Sequence, residues 1–361
     1  MSILVTGASG FLGRAVVERL CAHKIARVRC FVRPRSNRYR LEQLQREHPD
    51  CRIEYFAGNL TSPADCRGAL EGITTVFHLA AQMKGAPASI FLNTVVASNR
   101  LIEAMLETGT RRTVLVSSVA VYGPMHGPPT ATLDEATPIE RCAQMRDVYS
   151  QAKLWQESLF RRFWGDSGHE LVVLRPGVIY GEGGQEFSPR VGLKIGNWLW
   201  RFGRNNVLPL TYVRNCAEAV VVAGLELGAT GCYNVVDDDL PTVTEYLNQY
   251  RRWVGSIRSI WIPWWLTRCL SRAVETYSQV SHEQLPAVLT TYKSAVLWRG
   301  SSFDNRRLKQ LAWRPIVPTA EALRTTFESF KNNSETMPSF HMSSQARAGA
   351  LSPRLSCDAE G

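Results

Sequence analysis

The chain has 361 residues and a formal charge of +10, which is enough for one large core or two smaller ones and favours anionic partners. No apolar run approaches the ~20 residues that a transmembrane helix needs. No signal peptide is expected because a predicted strand begins almost at Met1. The nine cysteines lack metal-like spacing, so we expect reduced thiols, no metal and a cytoplasmic protein. No nucleic-acid-binding motif occurs.

The first stretch predicts a dinucleotide site. Ile3–Val5 is typical of a short buried strand, and Phe11–Leu20 has apolar residues at helical spacing. Between them, Gly7, Gly10 and Gly13 predict a turn that aims backbone N–H groups and the helix dipole at a pyrophosphate. The residues expected to contact the cofactor here are Gly7, Ser9, Gly10, Phe11, Leu12 and Gly13.

The second predicted strand, Arg27–Val32, indicates which nicotinamide cofactor binds. An acid commonly ends this strand in NAD-binding folds and accepts from the ribose 2′-OH, whereas arginine accompanies a 2′-phosphate. Here Val32 stands at that place, and Arg33 and Arg35 follow it. We therefore expect NADP to be preferred and NAD to be accepted. The alternative is a solvated basic loop.

Three further strands are predicted at Arg52–Ala57, Ile73–Leu79 and Arg112–Val116. After the first of them, Asn59 and Leu60 can face adenine. After the second, the small side chains within the segment Leu79, Ala80 and Ala81 let a cofactor lie against the backbone. Because strands and helices alternate, we expect an α/β fold, a Rossmann doubly wound parallel sheet whose ligands bind at the carboxyl ends of the strands.

A possible acid/base pair opens the next helix, after a predicted loop over Val121–Arg146. Tyr149 and Lys153 are four residues apart and share a helical face. A nearby ammonium favours phenolate and makes a tyrosine usable as a general acid/base. Ser118, at the end of the strand before the loop, can bind the reacting oxygen. The alternative for such a pair is an ordinary surface contact.

Together these segments resemble the extended short-chain dehydrogenase/reductase superfamily, in its NAD-dependent epimerase/dehydratase branch. The matching motifs are TGASGFLG at 6–13, GNL at 58–60, HLAA at 78–81, SSVAVYG at 117–123, YSQAK at 149–153 and LRPGVIYG at 174–181. The resemblance implies a catalytic set of Ser118, Tyr149 and Lys153, with Asn93, on a predicted helix over Ala88–Thr108, supporting Lys153 through water. It also implies that Tyr149, Lys153 and Pro176 contact the cofactor.

Two motifs depart from the family pattern. Asn59 stands where the family usually has an acid, although it can still face adenine. The later segment YVRN at 212–215 resembles the family's YVDN, with Arg214 in place of the acid.

The resemblance also implies a smaller C-terminal substrate-binding domain. We expect a dinucleotide-binding domain over 1–175, rejoined by about 212–236 through a helix over Asn215–Leu227 and a strand over Cys232–Val236. The substrate domain is expected over 176–211 and 237–331, with closing helices within Ser301–Lys331. Beyond Asn332 the polar, aperiodic sequence predicts a disordered tail over 332–361.

Two basic stretches of the predicted substrate domain allow more than one interpretation. Ser188–Arg204 is predicted to be a helix with an apolar stripe beside Arg190, Lys194, Arg201 and Arg204. That basic stripe could hold substrate phosphates or be a solvated face. Arg258–Val274 contains three tryptophans among arginines. It could touch a membrane interface, or form a proline-started helix that packs its tryptophans inward.

The implied chemistry is hydride transfer at a secondary alcohol or ketone of a small-molecule substrate. A dehydratase would need an acid beside the serine, where Val119 and Ala120 stand. The positive charge favours an anionic nucleotide sugar and an epimerase or oxidoreductase. Leu208–Thr211 lacks the RDF/Y element usual in such epimerases, which leaves a 3β-hydroxysteroid-dehydrogenase-like or dihydroflavonol-reductase-like enzyme as the alternative. A non-catalytic NADP-binding regulator is the third hypothesis, and a homodimer is also expected.

Overall fold

The computed structural model of the chain describes residues 1–123, 131–196, 198–203, 205–280 and 290–336. Its strands are β1 (Ser2–Thr6), β2 (Arg27–Val32), β3 (Arg52–Ala57), β4 (Thr75–His78), β5 (Arg112–Val116), β6 (Thr132–Leu133), β7 (Glu170–Pro176), β8 (Val178–Tyr180), β9 (Leu193–Ile195), β10 (Trp198–Phe202), β11 (Leu210–Tyr212), β12 (Gly231–Val235), β13 (Arg258–Ile262) and β14 (Ser302–Phe303). Its α-helices are α1 (Phe11–Ala22), α2 (Tyr39–Glu47), α3 (Pro63–Leu70), α4 (Pro87–Phe91), α5 (Ala97–Thr108), α6 (Val148–Ser167), α7 (Val213–Leu225), α8 (Val243–Trp253), α9 (Trp264–Val280), α10 (Thr291–Arg299), α11 (Arg306–Lys309) and α12 (Thr319–Thr336).

A seven-stranded sheet in the order β12-β7-β5-β4-β1-β2-β3 forms the centre of the molecule. Every neighbouring pair in it is parallel. The strand order reverses beside β1, so the crevice at the carboxyl ends of β1 and β4 is the place where such folds bind ligands. The predicted doubly wound parallel sheet is confirmed.

Both faces of this sheet are covered because its strands are apolar on both sides. In β5, Val114 and Val116 face a core formed with α1, α2 and α7, whereas Leu115 faces the opposite core formed with α3, α5 and α6. This alternation follows the two-residue period of a strand. The two buried faces fix the sheet's edge and with it the positions of the residues that follow each strand.

The chain leaves the sheet after β7 and comes back to it later. Between these points lie the β8–β11 pair and strands β9 and β10, and β13, which follows β12 in the chain, completes the sheet β13-β10-β9. Their apolar side chains pack with α8 and α12 around Tyr246, Leu247 and Phe327. α7 then packs on α1, and β12 pairs with β7. The assignment of 176–211 and 237–331 to a separate substrate domain stays a prediction.

The predicted helix over Ser188–Arg204 is wrong. The segment contains β9 and β10, an antiparallel pair in which Ile195 lies opposite Trp198. Gly196, with φ +58°, forms the turn between them, a conformation that glycine adopts without strain. The apolar residues that suggested a helical stripe instead alternate along β10, where Leu199 is buried and Trp198 is exposed.

The proline-started helix expected within Arg258–Val274 is present as α9, but the expected inward packing of its tryptophans is wrong for two of the three. Arg258–Ile262 is strand β13, parallel to β10, and the helix begins only after Pro263. Trp261 and Trp265 are 51% and 66% exposed, so they do not pack inward as expected. Within the described ranges, no helix combines the length and apolar character needed to cross a bilayer.

Other boundaries differ less. The predicted tail begins too early, because α12 continues to Thr336. Residues 124–130 of the predicted loop over Val121–Arg146, the basic candidate Arg204 and residues 337–361 of the predicted tail lie outside the described residues. The predicted helix over Ala88–Thr108 is α4 and α5 joined by a π-helical turn at Leu92–Val96.

Candidate active site

The glycine turn between β1 and α1 has little room for side chains. Gly7 has φ +70°, and a Cβ atom there would lie 3.0 Å from the backbone nitrogen of Ala80. A Cβ atom on Gly13 would lie 2.1 Å from the carbonyl oxygen of Gly7. Gly10 caps α1 without a side-chain hydrogen bond, and the first helical turn contains no acid. The backbone amides at the start of α1 therefore have no side-chain acceptor and can bind an anion.

A dinucleotide pyrophosphate fits this turn because the uncapped amides supply the donors that its oxygens need. Ser9, Phe11 and Leu12 are partly buried around the amides. The Phe11 ring extends to Gly184, where an added Cβ atom would come within 3.1 Å of it. Phe11 thus connects the predicted cofactor site with the segment that follows β8.

The predicted adenosine end of the site is basic and open. Arg33 and Arg35 are exposed just after β2, and neither side chain has a hydrogen bond or ion pair to any residue that the structure describes. Asn59 follows β3, where its Oδ1 accepts from the Thr61 N–H at 3.0 Å. The Asn59 N–H donates to Asp65 Oδ2 at 2.7 Å. These bonds fix the turn that carries Asn59 and Leu60.

The segment after β4 lies directly beside the glycine turn. The Ala80 N–H donates to Thr6 Oγ1 at 3.3 Å, and the Ala80 backbone lies next to Gly7. The structure therefore brings Leu79–Ala81 to the same crevice as the turn, as the sequence predicts.

The two oxygen-bearing members of the predicted catalytic set are in contact. Asp147 caps α6 by accepting from the Ser150 N–H at 3.0 Å, which places Tyr149 in the first turn of the helix. The Ser118 side chain lies close enough to the Tyr149 hydroxyl to lower its pKa, but burial has the larger effect and raises that pKa to about 12. The expected depression of this pKa by Lys153 is therefore not what the structure gives.

Lys153 lies one turn further along α6, and its ammonium is turned toward the sheet. Nζ donates to the Val116 carbonyl and to Gln156 Oε1, both at 2.8 Å. Burial lowers the pKa of Lys153 to about 7, against the opposing effect of Glu157. The carboxylate of Glu157 is itself held by Arg175 at 2.5 Å. Lys153 can consequently gain or lose its proton near neutral pH.

Gln156 is a residue that the motif-based prediction missed. Its Nε2 lies 2.8 Å from Ser98 Oγ, 3.1 Å from His78 Nε2 and 3.2 Å from the Ala80 carbonyl. His78 Nδ1 lies 2.8 Å from Thr6 Oγ1. A buried polar chain therefore runs from Lys153 to the glycine turn. Helical spacing from Lys153 was the signal that could have identified Gln156.

Asn93 lies in the π-helical turn, and no direct bond joins it to Lys153. Its Nδ2 donates to Gln82 Oε1 at 2.8 Å and to the Ser89 carbonyl at 2.9 Å. Support of Lys153 through water stays a prediction. Burial, followed by the charge of Lys153, lowers the pKa of His78 to about 3, so His78 is a neutral hydrogen-bonding residue in this network.

The predicted phosphate-binding cations do not converge. Lys194 pairs with Glu186 at 3.0 Å, and Arg214 pairs with Glu18 on α1 at 3.5 Å. Because α7 packs on α1, the Arg214 side chain is directed to Glu18 and not to the substrate crevice. Of the described candidates, Arg190 and Arg201 have no side-chain hydrogen bond or ion pair to the residues that the structure describes.

The segment YVRN has a structural part as well. The Asn215 side chain donates to Asp237 Oδ1 and to the Val317 carbonyl, both at 2.9 Å. It thereby ties α7 to the chain on either side of α8. Pro176 ends β7 at the same sheet edge. In the described ranges, no group of three or more His, Cys, Asp or Glu residues could hold a metal ion.

The sequence profile of the NAD dependent epimerase/dehydratase family matches residues 3–235. This match covers more than half of the chain, which therefore belongs to that family.

Some of the similar proteins are named for steroid or alkanoate substrates. The 3beta-hydroxysteroid-dehydrogenase/decarboxylase isoform 2 of Arabidopsis thaliana is 27% identical over 360 aligned residues, covering 91% of this chain and 62% of the relative. The chain thus spans less than two thirds of that relative's length. The 2-alkyl-3-oxoalkanoate reductase of Shewanella oneidensis is 27% identical over 339 aligned residues, covering 89% of this chain and 84% of the relative. The UDP-glucose 4-epimerase of Thermus thermophilus, solved with NAD, superposes with a TM-score of 0.69 at 22% identity, over 92% of this chain and 99% of that one.

Proposed function

We propose that the protein is an NAD(P)-dependent dehydrogenase or reductase that interconverts a secondary alcohol and a ketone on a substrate with a large apolar part. The observation that carries this proposal is the contact between Tyr149 and Ser118, with Lys153 buried one turn away, at the sheet edge beside the glycine turn. The relatives that align along about nine tenths of the chain support the substrate class.

The proton chemistry follows from this contact. Ser118 and Tyr149 can both donate hydrogen bonds to one ketone oxygen. As reduction proceeds, Tyr149 gives its proton to that oxygen, and the reverse transfer accompanies alcohol oxidation. Lys153 lies one turn further along α6, where it would contact the cofactor, as the family resemblance implies. The nicotinamide, when bound, supplies or accepts the hydride.

An epimerase acting on a nucleotide sugar is the second candidate. Arg190 favours it, because an unpaired guanidinium also suits a phosphate. Two of the other proposed phosphate ligands, Lys194 and Arg214, are paired with carboxylates, and this pairing favours the first candidate.

A substrate screen tests the proposal. The purified protein is incubated with NAD or NADP and a 3β-hydroxysteroid, a methyl ester of a 2-alkyl-3-hydroxyalkanoic acid, or UDP-glucose, and nicotinamide absorbance and sugar epimerisation are both measured. We expect absorbance change with the steroid or the ester. Epimerisation of UDP-glucose alone would favour the second candidate, and cofactor binding without any turnover would favour a regulator.

Arg33 and Arg35 support a preference for NADP. Each guanidinium can bind a 2′-phosphate through charge-assisted hydrogen bonds. We expect NADP to bind more tightly than NAD, and Arg33→Ala to narrow the difference by about tenfold. Calorimetric titration measures both dissociation constants, and Arg46→Ala, at an exposed position of α2, is the matched control. Equal affinity of the wild type for the two cofactors would contradict this expectation.

The two directions of the reaction should depend on pH differently. With a pKa of about 12, Tyr149 is a protonated donor throughout the neutral range, so kcat/KM for ketone reduction should not be limited by its ionisation. Alcohol oxidation needs the phenolate, and its kcat/KM should rise about tenfold per pH unit above neutrality. Loss of the Lys153 proton can add a change of slope to the pH profile of kcat/KM near pH 7. An oxidation plateau that starts below about pH 8 would show that the phenol ionises more readily than its burial indicates.

A cytoplasmic location is also part of the proposal. All eight cysteines in the described ranges are unpaired, which supports a reducing compartment. A homodimer stays a prediction.

A further inference from the structure

The helix α9 has the reverse of the amphipathic arrangement that is usual in a water-soluble domain, where a helix turns its apolar stripe to the core. The buried side chains that the structure describes in α9 are those of Thr267, Ser271 and Ser278. Ser271 Oγ donates to the Thr267 carbonyl at 2.8 Å and contacts Ser294 Oγ of α10. Small hydroxyl-bearing side chains therefore hold α9 against α10.

The side of α9 that is turned away from Ser271 is apolar and exposed. Its residues recur every three or four positions, as one helical face requires. They are Trp265, Cys269, Ala273, Tyr277 and Val280, all of them exposed, and we call them the outer face of α9. Trp265 and Val280, near its two ends, are 66% and 72% exposed. A contiguous apolar surface of this kind marks a site of interaction with a protein or a membrane.

Two arginines border the outer face of α9. Arg268 and Arg272 are exposed, and neither has a hydrogen bond or ion pair with the part of the chain that the structure describes. Glu275, the one acid in the sequence of α9, is partly buried and accepts from the Thr291 N–H at 2.8 Å. The charges exposed on α9 are therefore positive, and they suit an anionic partner.

The strand that leads into α9 has exposed residues of the same kinds. Ile260 and Trp261 of β13 are exposed. The guanidinium carbon of Arg258 lies 5.6 Å from the ring centroid of Trp198, an exposed residue of the neighbouring strand β10. Tryptophan and arginine together are typical of segments at a membrane–water interface, because both have an apolar part and a polar end.

We propose that the outer face of α9 binds the surface of a lipid bilayer that contains anionic headgroups. Trp265 and the residues in line with it enter the boundary between headgroups and acyl chains, while Arg268 and Arg272 pair with the phosphates. With 17 residues and arginines along its length, α9 lies on the bilayer and does not cross it. This inference goes beyond the proposed function and holds whichever substrate the protein turns over.

The charges favour a bilayer over a second copy of the chain. In a two-fold symmetric dimer one patch meets the same patch of the other copy. Arg268 and Arg272 would then approach their own counterparts, and α9 contributes no exposed acid that could pair with them. Like charges that meet in an interface cost free energy. Anionic headgroups bring the opposite charge and apolar chains to the same surface.

Flotation of the full chain with large unilamellar vesicles tests the proposal. The vesicles are phosphatidylcholine alone or with about 30% phosphatidylglycerol. We expect the wild type to bind the anionic vesicles more tightly, and to lose that preference in about 1 M salt, where charges are screened. Trp265→Ser should lower the partition coefficient about tenfold. The double variant Arg268→Gln, Arg272→Gln should lower it about 30-fold on the anionic vesicles.

Each variant has a matched control. Trp155→Ser replaces a tryptophan of α6 that is 53% exposed, and the double variant Arg46→Gln, Arg324→Gln removes the same charge at exposed positions of α2 and α12. We expect both controls to bind like the wild type. Circular dichroism shows that every variant is folded.

Two results would overturn the proposal. One is a wild type that binds neither kind of vesicle, and the other is an equal loss of binding in the variants and their controls. Sedimentation without lipid identifies the competing occupant. A wild-type dimer that Trp265→Ser dissociates, together with no binding to vesicles, would assign the outer face of α9 to self-association instead.

Discussion

Replacing Tyr149 with phenylalanine is expected to lower kcat by about 10²- to 10⁴-fold, the range that a positioned general acid/base contributes. The variant keeps the ring in the first turn of α6 and removes only the hydroxyl that contacts Ser118. Because the glycine turn and the residues after β2 are untouched, the dissociation constant for NAD(P) should stay close to the wild-type value. Steady-state kinetics and calorimetry on the same preparation measure the two effects.

Tyr233→Phe is the matched control for this variant. Its hydroxyl donates to the Thr230 carbonyl at 3.1 Å on the far side of the sheet from the crevice's reactive groups, and we expect normal turnover. If Tyr149→Phe also turned over normally, the assignment of the proton transfer to Tyr149 would be refuted.

Glu157→Ala is expected to cost about 3–5 kcal/mol of unfolding free energy, because it leaves a buried arginine without its counterion. The Glu157 carboxylate is fully buried and accepts from Arg175 at 2.5 Å and from Ser117 Oγ at 2.6 Å. Arg175 is nearly fully buried as well. Urea denaturation followed by circular dichroism measures the loss, and the change should appear without any addition of cofactor.

Glu103→Ala provides the comparison. Glu103 pairs with Arg100 at 2.8 Å on the solvent side of α5, and such exposed helical pairs contribute only about 0.3–0.5 kcal/mol. A cost below about 1 kcal/mol for Glu157→Ala would mean that water or another residue compensates Arg175 when the carboxylate is gone.

The parts of the molecule that the sequence predicts well depend on local geometry. The strand, glycine turn and helix at Ser2–Ala22 are consecutive, so their pattern determines both structure and position. Tyr149 and Lys153 share a face because of helical spacing alone. Ser118 follows β5 at the carboxyl edge of the sheet, and Tyr149 opens α6, the helix that connects β5 with β7, so the alternation of elements places both near that edge.

The errors arise where distant segments decide the outcome. The residues of β10 can satisfy a helical period, but β13, far along the chain, supplies the hydrogen-bonding partner that makes them a strand. Arg214 is directed to Glu18 by the packing of α7 on α1, which residues 212–215 do not specify. The unpaired state of Arg190 likewise depends on which acids the folded chain brings near it.

The late return of the chain to the sheet has a consequence for its synthesis. A nascent chain that has emerged only through β7 would present an unpaired edge of Val172, Val173 and Leu174, because β12 is their partner. It would also lack α7, which covers one face of the sheet next to α1. Exposed strand edges of this kind recruit other chains. During translation, therefore, the time needed to synthesise the residues from β8 to α7 is the time for which the incomplete sheet depends on chaperones to avoid aggregation.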